Sequence, residues 1–198
     1  MSVMPTDIES RLTAAASAGI HYGQTTDAKG VVTAWCRLAA SEDLLAVASL
    51  LKTMGTRLST ITVFQPKAPP EPPKAKEGEI PAPVPTFFGG VIQDGKTYEI
   101  DYHFDIDGDT LTITAHVPTG GQIDSLTPLY RAADWPEREA MEMYSLVVRN
   151  HPNPQRLFLD PSIDNAAFER LIPYSTLVNS AASKSLWEKI MAQTGPKS

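Results

Sequence analysis

The sequence contains only one cysteine, Cys36, in 198 residues. A single thiol excludes a disulfide bond within the chain. It also excludes an iron–sulfur cluster held by this chain alone, because such a cluster needs about four thiolates. No uninterrupted apolar run approaches the ~18 residues that a membrane-spanning helix requires. The N-terminus lacks a basic region followed by a leucine-rich core, so we expect no secretory signal peptide.

Positive charge is also scarce. The chain has 17 Lys and Arg residues against 23 Asp and Glu residues, which gives a net charge of −6. An acidic chain without a basic patch argues against nucleic acid as a partner and against direct attachment to anionic lipid. The length and the 42% apolar content are typical of one domain that buries a core. We therefore expect a soluble, intracellular protein that meets a membrane only through other proteins.

The first third of the chain predicts a helix followed by a β-α-β unit. The predicted elements are a helix at 6–18, a loop at 22–30, a strand at 31–38, a helix from Ser41 to Gly55 and a strand at 58–64. Ser41 is expected to cap the second helix, and Gly55 is expected to end it. The apolar stripe of that helix comprises Leu44, Val47, Ala48, Leu51 and Met54.

A β-hairpin is predicted next. Residues 97–106 and 110–117 alternate apolar and polar side chains, and Asp107-Gly108 between them is typical of a tight hairpin turn. The alternation predicts one buried face and one solvated face. His103 and His116 fall on the solvated face. They would need a third ligand to hold a metal ion, so we expect them to be ordinary surface polar residues.

The aspartates around the turn superficially resemble a calcium loop. Asp105, Asp107 and Asp109 alternate as calcium ligands do. However, Gly108 falls at the fourth position of such a loop rather than the sixth, and His116 occupies the twelfth position, where a glutamate is needed. A hairpin turn explains the three aspartates better.

A proline-rich insertion at 66–85 separates the two halves of the predicted sheet. It holds eight prolines in twenty residues, a composition that favours an extended, solvated chain over a packed element. We interpret it as a surface insertion between two strands. A proline-rich docking ligand and a partner-wrapping arm remain open as alternatives.

These patterns predict an α+β fold, with a mixed sheet of about four or five strands, helices mainly on one face and an extended, irregular C-terminal third. Residues 1–133 form the α+β domain, including the insertion. Residues 134–160 form a charged helix followed by a His-Pro arm. Residues 161–198 form a tail with a short terminal helix.

The charged helix has the densest pattern in the sequence. Asp134 followed three residues later by Glu137 predicts an N-cap with a capping-box partner, and Pro136 suits the first turn. Beyond the helix, two prolines stiffen His151-Pro-Asn-Pro154 ahead of Arg156. No nucleophile, phosphate-binding loop or metal-ligand spacing accompanies these residues.

This stretch resembles the signature of one family, the thirty-kilodalton subunit of NADH–quinone oxidoreductase, or complex I, and its relatives in membrane-bound nickel–iron hydrogenases. The resemblance rests on Glu137-Arg138-Glu139, Glu142, Met143-Tyr144, His151-Pro152 and Arg156-Leu157-Phe158. Two positions depart from the pattern. Ser145 stands where the family usually has a glycine, and Gln155 stands where a basic residue is usual.

The resemblance implies an accessory subunit of an oxidoreductase that has no catalytic residue and binds no cofactor or metal itself. NADH, quinone, and the iron–sulfur or nickel–iron centres would belong to partner subunits. The chain would dock on the large, forty-nine-kilodalton-like subunit at the cytoplasmic side of the cell membrane, as a peripheral protein. The expected interface residues are Glu137, Arg138, Glu139, Glu142, Tyr144, His151, Pro152 and Arg156.

A different class of function also remains open. Glu137 and Glu142 could serve as a general acid and base in a stand-alone hydrolase or transferase. The resemblance favours the accessory subunit over this enzyme. Pairing between Arg138 and Glu142, one helical turn apart, is an equally simple explanation of the charges.

Overall fold

The computed structural model describes residues 3–66, 94–144 and 146–160. The chain divides into two units, Met1–Phe158 and Leu159–Ser198, and every element below belongs to the first. The proline-rich insertion beyond Pro66, Ser145 and the predicted C-terminal helices lie outside the described residues.

A mixed sheet of five strands forms the centre of the unit. The strands are β1 (Ile20–Thr26), β2 (Val32–Leu38), β3 (Arg57–Phe64), β4 (Thr97–Ile106) and β5 (Asp109–Pro118). Their spatial order is β1-β2-β5-β4-β3. Strands β2 and β5 run parallel, whereas the other neighbouring pairs are antiparallel. The prediction of an α+β fold with a mixed sheet is confirmed, and β1 and β3 are the two edges.

Strand β1 corrects the prediction of a loop at 22–30. It pairs with β2 from Ile20 opposite Leu38 to Thr26 opposite Val32. None of its side chains is fully buried. An edge strand of this kind is held by main-chain hydrogen bonds to its neighbour, so its own side chains show no apolar alternation.

The helices α1 (Ile8–Ala15) and α2 (Leu44–Thr53) contribute the apolar layer. The stripe predicted for α2 is confirmed, because Leu44, Val47, Ala48 and Leu51 are buried. Ser41 does not cap it. Residues Ser41–Asp43 form a 3₁₀ turn instead. The Asp43 carboxylate accepts hydrogen bonds from the Ser17 hydroxyl (2.7 Å) and the Ala18 amide (2.9 Å), which ties the end of α1 to the start of α2.

The predicted hairpin is confirmed. Asp107 and Gly108 have φ angles of 49° and 102°, as a tight turn between antiparallel strands requires. The side chains of β4 that face the helices are buried. They are Tyr98, Ile100, Tyr102, Phe104 and Ile106.

The opposite face of the hairpin is not the solvated face predicted. The polar side chains on that face form hydrogen bonds with one another. His116 Nε2 lies 3.1 Å from a carboxylate oxygen of Glu99, and the Thr114 hydroxyl donates to Asp101 at 2.6 Å. Glu99 is only 3% exposed. His103 also lies between two threonine hydroxyls. Alternation in sequence showed which residues share this face, but it did not show that they pair.

The turn aspartates stabilise the hairpin, as the sequence suggested. The buried Asp109 carboxylate accepts hydrogen bonds from the amides of Val3, Met4 and Val32, at 2.7–2.8 Å. Asp105 accepts one from the Gly108 amide at 2.9 Å. Asp109 therefore ties the N-terminal segment and β2 to the hairpin.

After β5 the described part of the chain forms one α-helix and two short strands. Two short parallel strands, β6 (Gln122–Asp124) and β7 (Val147–Arg149), flank the helix α3 (Asp134–Met143). Just past α3, the Tyr144 ring lies 6.0 Å from that of Tyr98, and the Tyr130 ring lies 5.3 Å from that of Phe104. The helix α3 itself packs beside the edge strand β3. In the part of the chain described here, none of the helices has the length and apolar character needed to cross a bilayer.

Candidate functional site

The charged helix begins differently from the prediction. Asp134 is the first helical residue, a 3₁₀ turn (Arg131–Ala133) precedes it, and no side chain caps the helix. The capping box is therefore wrong, because the carboxylate of Glu137 bonds to the preceding loop instead of the helix start. Pro136 lies in the first turn, as expected.

Glu137 is buried and accepts several hydrogen bonds. The Leu126 amide donates at 2.6 Å, the Thr127 hydroxyl donates at 2.9 Å, and the Ser125 hydroxyl donates as well. The side chain is 4% exposed. Burial raises the pKa of Glu137, whereas these donors partly oppose the shift. The carboxylate thus fixes the loop 125–127 against α3.

His151 completes this group, and its side chain has no exposure. Its Nδ1 accepts a hydrogen bond from the Asn153 amide at 3.0 Å. In the neutral ring the proton must then sit on Nε2. That nitrogen faces the Thr127 hydroxyl at 3.3 Å, Asp134 Oδ1 at 3.5 Å and Glu137 Oε2 at 3.6 Å.

We call Ser125, Thr127, Asp134, Glu137 and His151 the buried cluster. Its polar atoms lie on three separate segments of the chain, which it holds together. The buried Oδ1 of Asp134 has no hydrogen-bond partner, and His151 Nε2 is a nearby donor. Among the described residues, no group of three or more His, Cys, Asp and Glu side chains is arranged to hold a metal ion.

Arg138 and Glu142 both bind the arm that follows His151. Arg138 donates to the carbonyl oxygens of Gln155 and Arg156, each at 2.8 Å. One carboxylate oxygen of Glu142 accepts hydrogen bonds from the amides of Leu157 and Phe158, each also at 2.8 Å. Two adjacent turns of α3 thus form hydrogen bonds with the main chain of four consecutive residues of the arm.

The outward side of α3 has a different character. Trp135 is 65% exposed, and Glu139, one turn further along, is also exposed. A groove of about 210 Å³ lies between α3 and the edge strand β3. Its lining residues are Ile61, Thr62, Val63, Pro136, Glu139, Ala140 and Tyr144. Pro152 is also exposed, on the arm.

The structure therefore divides the eight predicted interface residues into three groups. Glu137, Arg138, Glu142 and His151 make the internal contacts described above, and Glu139 and Tyr144 line the groove. Pro152 and Arg156 lie on the arm, where Pro152 is exposed and Arg156 is partly buried. Sequence reasoning missed Ser125, Thr127 and Trp135. Only the spacing of Trp135, four residues before Glu139, was visible in the sequence, and it places the two side chains on the same side of the helix.

This arrangement offers little for acid–base catalysis. Glu137 is engaged by the loop 125–127 and Glu142 by the arm, so the two carboxylates do not share one site. Cys36 is fully buried in the core, and burial raises the pKa of its thiol to about 12. What the geometry does provide is a rigid helix with one face fixed to its own chain and one face open.

Comparison with known proteins points to one family. The family described as the 30 kDa subunit of respiratory-chain NADH dehydrogenase matches residues 38–175. An NADH-quinone oxidoreductase subunit from Neisseria meningitidis is 36% identical over 56 residues, which are 28% of each chain. The subunit of the same name from Citrifermentans bemidjiense is 49% identical over 37 residues, or 19% of this chain and 23% of that one. The matched stretch thus spans less than a third of either relative.

A solved structure supports the fold. A chain from the membrane-bound sulfane sulfur reductase, an archaeal respiratory membrane complex, aligns with a TM-score of 0.51. The alignment covers 83% of this chain and 81% of that chain, at 11% identity. At this identity the likeness concerns the fold alone.

Proposed function

Because this chain belongs to the family of the 30 kDa subunit of respiratory-chain NADH dehydrogenase, we propose that it is an accessory subunit of a membrane-associated NADH–quinone oxidoreductase. The observation that carries the proposal is the family match, which extends from the end of β2 through α3 and the arm to residue 175. The subunit docks on the large, forty-nine-kilodalton-like subunit of the electron-transfer arm.

The proposed role is structural. The chain binds no cofactor of its own, and NADH, quinone and the metal clusters belong to partner subunits. A charged helix that is already fixed to its own arm supports this role, because a preorganised surface loses less conformational entropy when it binds. The chain then lies at the cytoplasmic side of the cell membrane, held there by its partners.

The eight signature residues contribute to this interface in two ways. The internally bonded residues, Glu137, Arg138, Glu142 and His151, set the position of α3 and the arm. Glu139, Tyr144, Pro152 and Arg156 lie toward the surface that the partner covers. Truncating one of the internally bonded residues should weaken docking because it moves α3 and the arm. Truncating one of the surface residues should weaken docking because it removes a direct contact with the partner.

A second candidate complex is an energy-converting nickel–iron hydrogenase. Ser145 and Gln155 favour it, since both depart from the pattern of the complex I members. In this structure Arg138 binds the main-chain carbonyl of residue 155, a contact that does not depend on the side chain there. A stand-alone carboxylate enzyme is a weaker third candidate.

Purification of the tagged chain from its source membrane tests these proposals. We expect a large subunit to co-purify. Two paired-cysteine motifs in that subunit would identify a hydrogenase, because nickel and iron need soft thiolate ligands, and their absence would identify a quinone-linked complex. Recovery of the chain without any large subunit would contradict both proposals.

A further inference from the structure

The groove beside α3 is lined by β3, an edge strand of the described sheet. Strand β3 is last in the strand order, and among the described strands it has β4 as its one neighbour. Three consecutive residues of β3, Ile61, Thr62 and Val63, line the groove. As an edge strand, β3 carries main-chain groups that are not paired with β4, and such groups can pair with a further strand.

Glu139 lines the groove, and Trp135 lies close to it in sequence on the exposed side of α3. They are one helical turn apart, so their side chains are neighbours on α3. Glu139 is exposed and makes no side-chain hydrogen bond or ion pair with another described residue, and Trp135 is 65% exposed. An indole face beside a free carboxylate suits a guanidinium group, which stacks on the ring and pairs with the acid.

We propose that this groove receives an extended segment of a partner subunit that adds to β3 through main-chain hydrogen bonds and places an arginine against Trp135 and Glu139. The inference rests on the proposed function, because it takes the chain to be part of an assembly of several subunits. Addition of a strand to an exposed sheet edge is a recurrent mode of peptide recognition.

Two other occupants fit the groove less well. The chain's own insertion at 66–85 contains eight prolines and no arginine, and proline has no main-chain N–H to donate to an edge strand. A second copy of this chain would bring together two molecules with a net charge of −6 each. A basic segment from a different subunit meets the exposed acid with opposite charge.

Photo-crosslinking identifies the occupant directly. Trp135 would be replaced by p-benzoylphenylalanine in the tagged, full-length chain, and crosslinks would be mapped by mass spectrometry in the complex extracted from the source membrane. We expect crosslinks to one peptide of another subunit, with an arginine within a few residues. Crosslinks to the chain's own residues, crosslinks to a second copy, or no crosslink in the intact complex would overturn the proposal. The same probe at Val31, which is 40% exposed beside the opposite edge of the sheet, is the matched control.

Variants test the chemistry of the contact. Trp135→Ala and Glu139→Lys should each lower retention of the partner subunits on a salt-washed column by roughly tenfold or more, given the strength of a desolvated cation–π contact and its charge pair. Glu42→Gln, an exposed acid on the 3₁₀ turn before α2, should retain them fully. Both test variants should keep the melting temperature of the parent chain, because neither side chain is buried.

The controls separate the two proposals. If the unaltered chain captures no oxidoreductase subunits, the proposed function fails. If the unaltered chain captures the complex and both groove variants hold it as tightly, the proposed function stands and the groove assignment is wrong.

Discussion

Replacing Glu137 with alanine removes the acceptor that holds the buried cluster together. In the structure this carboxylate accepts hydrogen bonds from the Leu126 amide and from the hydroxyls of Ser125 and Thr127. Alanine leaves all three donors without that acceptor, and the Leu126 amide and the Ser125 hydroxyl are buried. The variant should therefore be destabilised.

The magnitude follows from what each donor loses. A buried main-chain amide left unsatisfied costs about 1–3 kcal/mol, and the Leu126 amide cannot turn elsewhere. The two hydroxyls can rotate toward other acceptors, so they add less. Including the lost packing of the side chain, we expect a loss of about 2–4 kcal/mol in the free energy of unfolding. For a chain of this length that corresponds to a fall of about 5–15 °C in melting temperature.

Thermal and urea unfolding of the purified chain, followed by circular dichroism, would measure this loss. Glu139→Ala is a matched control, since it removes the same side chain two residues away on the exposed side of the same helix. It should change stability by less than about 0.5 kcal/mol. Equal, small effects of the two substitutions would refute the idea that the Glu137 carboxylate holds the loop and the helix together.

Three further predictions concern the arm, the pH dependence and the core. Glu142→Ala should speed amide hydrogen exchange at Leu157 and Phe158 by about tenfold, because it removes the acceptor of both; unchanged rates would show that the arm is held by other contacts. Burial raises the pKa of Glu137 in the folded chain. The resulting contribution to the free energy of unfolding is complete at a pH below the pKa of Glu137 in the unfolded chain, and it is lost as pH rises through the pKa of Glu137 in the folded chain. Unfolding titrations should then show the parent chain losing stability relative to Glu137→Gln as pH rises above 4.5, the ordinary pKa of a glutamate, and a constant difference would contradict the shift. Burial raises the pKa of the Cys36 thiol to about 12, so a thiol reagent should label it only in urea; rapid labelling of the folded chain would contradict its burial.

Local patterns predicted the elements whose own side chains decide their structure. The hairpin of β4 and β5 could be predicted because the apolar alternation and the Asp107-Gly108 turn indicate the same structure. The stripe of α2 could be predicted because its apolar residues recur with the period of a helix. Strand β1 was missed because its pairing depends on β2 and its own sequence carries no buried face.

The candidate site was predicted in part. Glu137, Arg138, Glu142 and His151 were singled out, but their partners lie 11–24 residues away along the chain. Spacing within one helix cannot reveal contacts of this kind, so the sequence predicts these charges as interface residues without showing their internal partners. The start of the helix was misjudged for a related reason, because the acceptor expected at its cap serves a distant loop.

Trp135 shows a different limit of the sequence. Its position next to the acidic signature was visible, but a tryptophan on a short helix is usually expected to face the core. Exposure depends on which side of α3 meets the sheet, and that is decided by Ala140 together with the Tyr144 contact to Tyr98. The open face became apparent once those contacts were known.

The central claim is that this chain is a subunit bound to a large oxidoreductase subunit. The most direct measurement is size-exclusion chromatography of a gently solubilised source membrane, with this chain and its co-eluting proteins quantified by mass spectrometry. We expect the chain to elute in a large complex together with quinone-reducing or hydrogenase activity. Its molar amount there should equal that of one large subunit. Elution of the chain by itself, with the large subunit and the activity in separate fractions, would contradict the central claim.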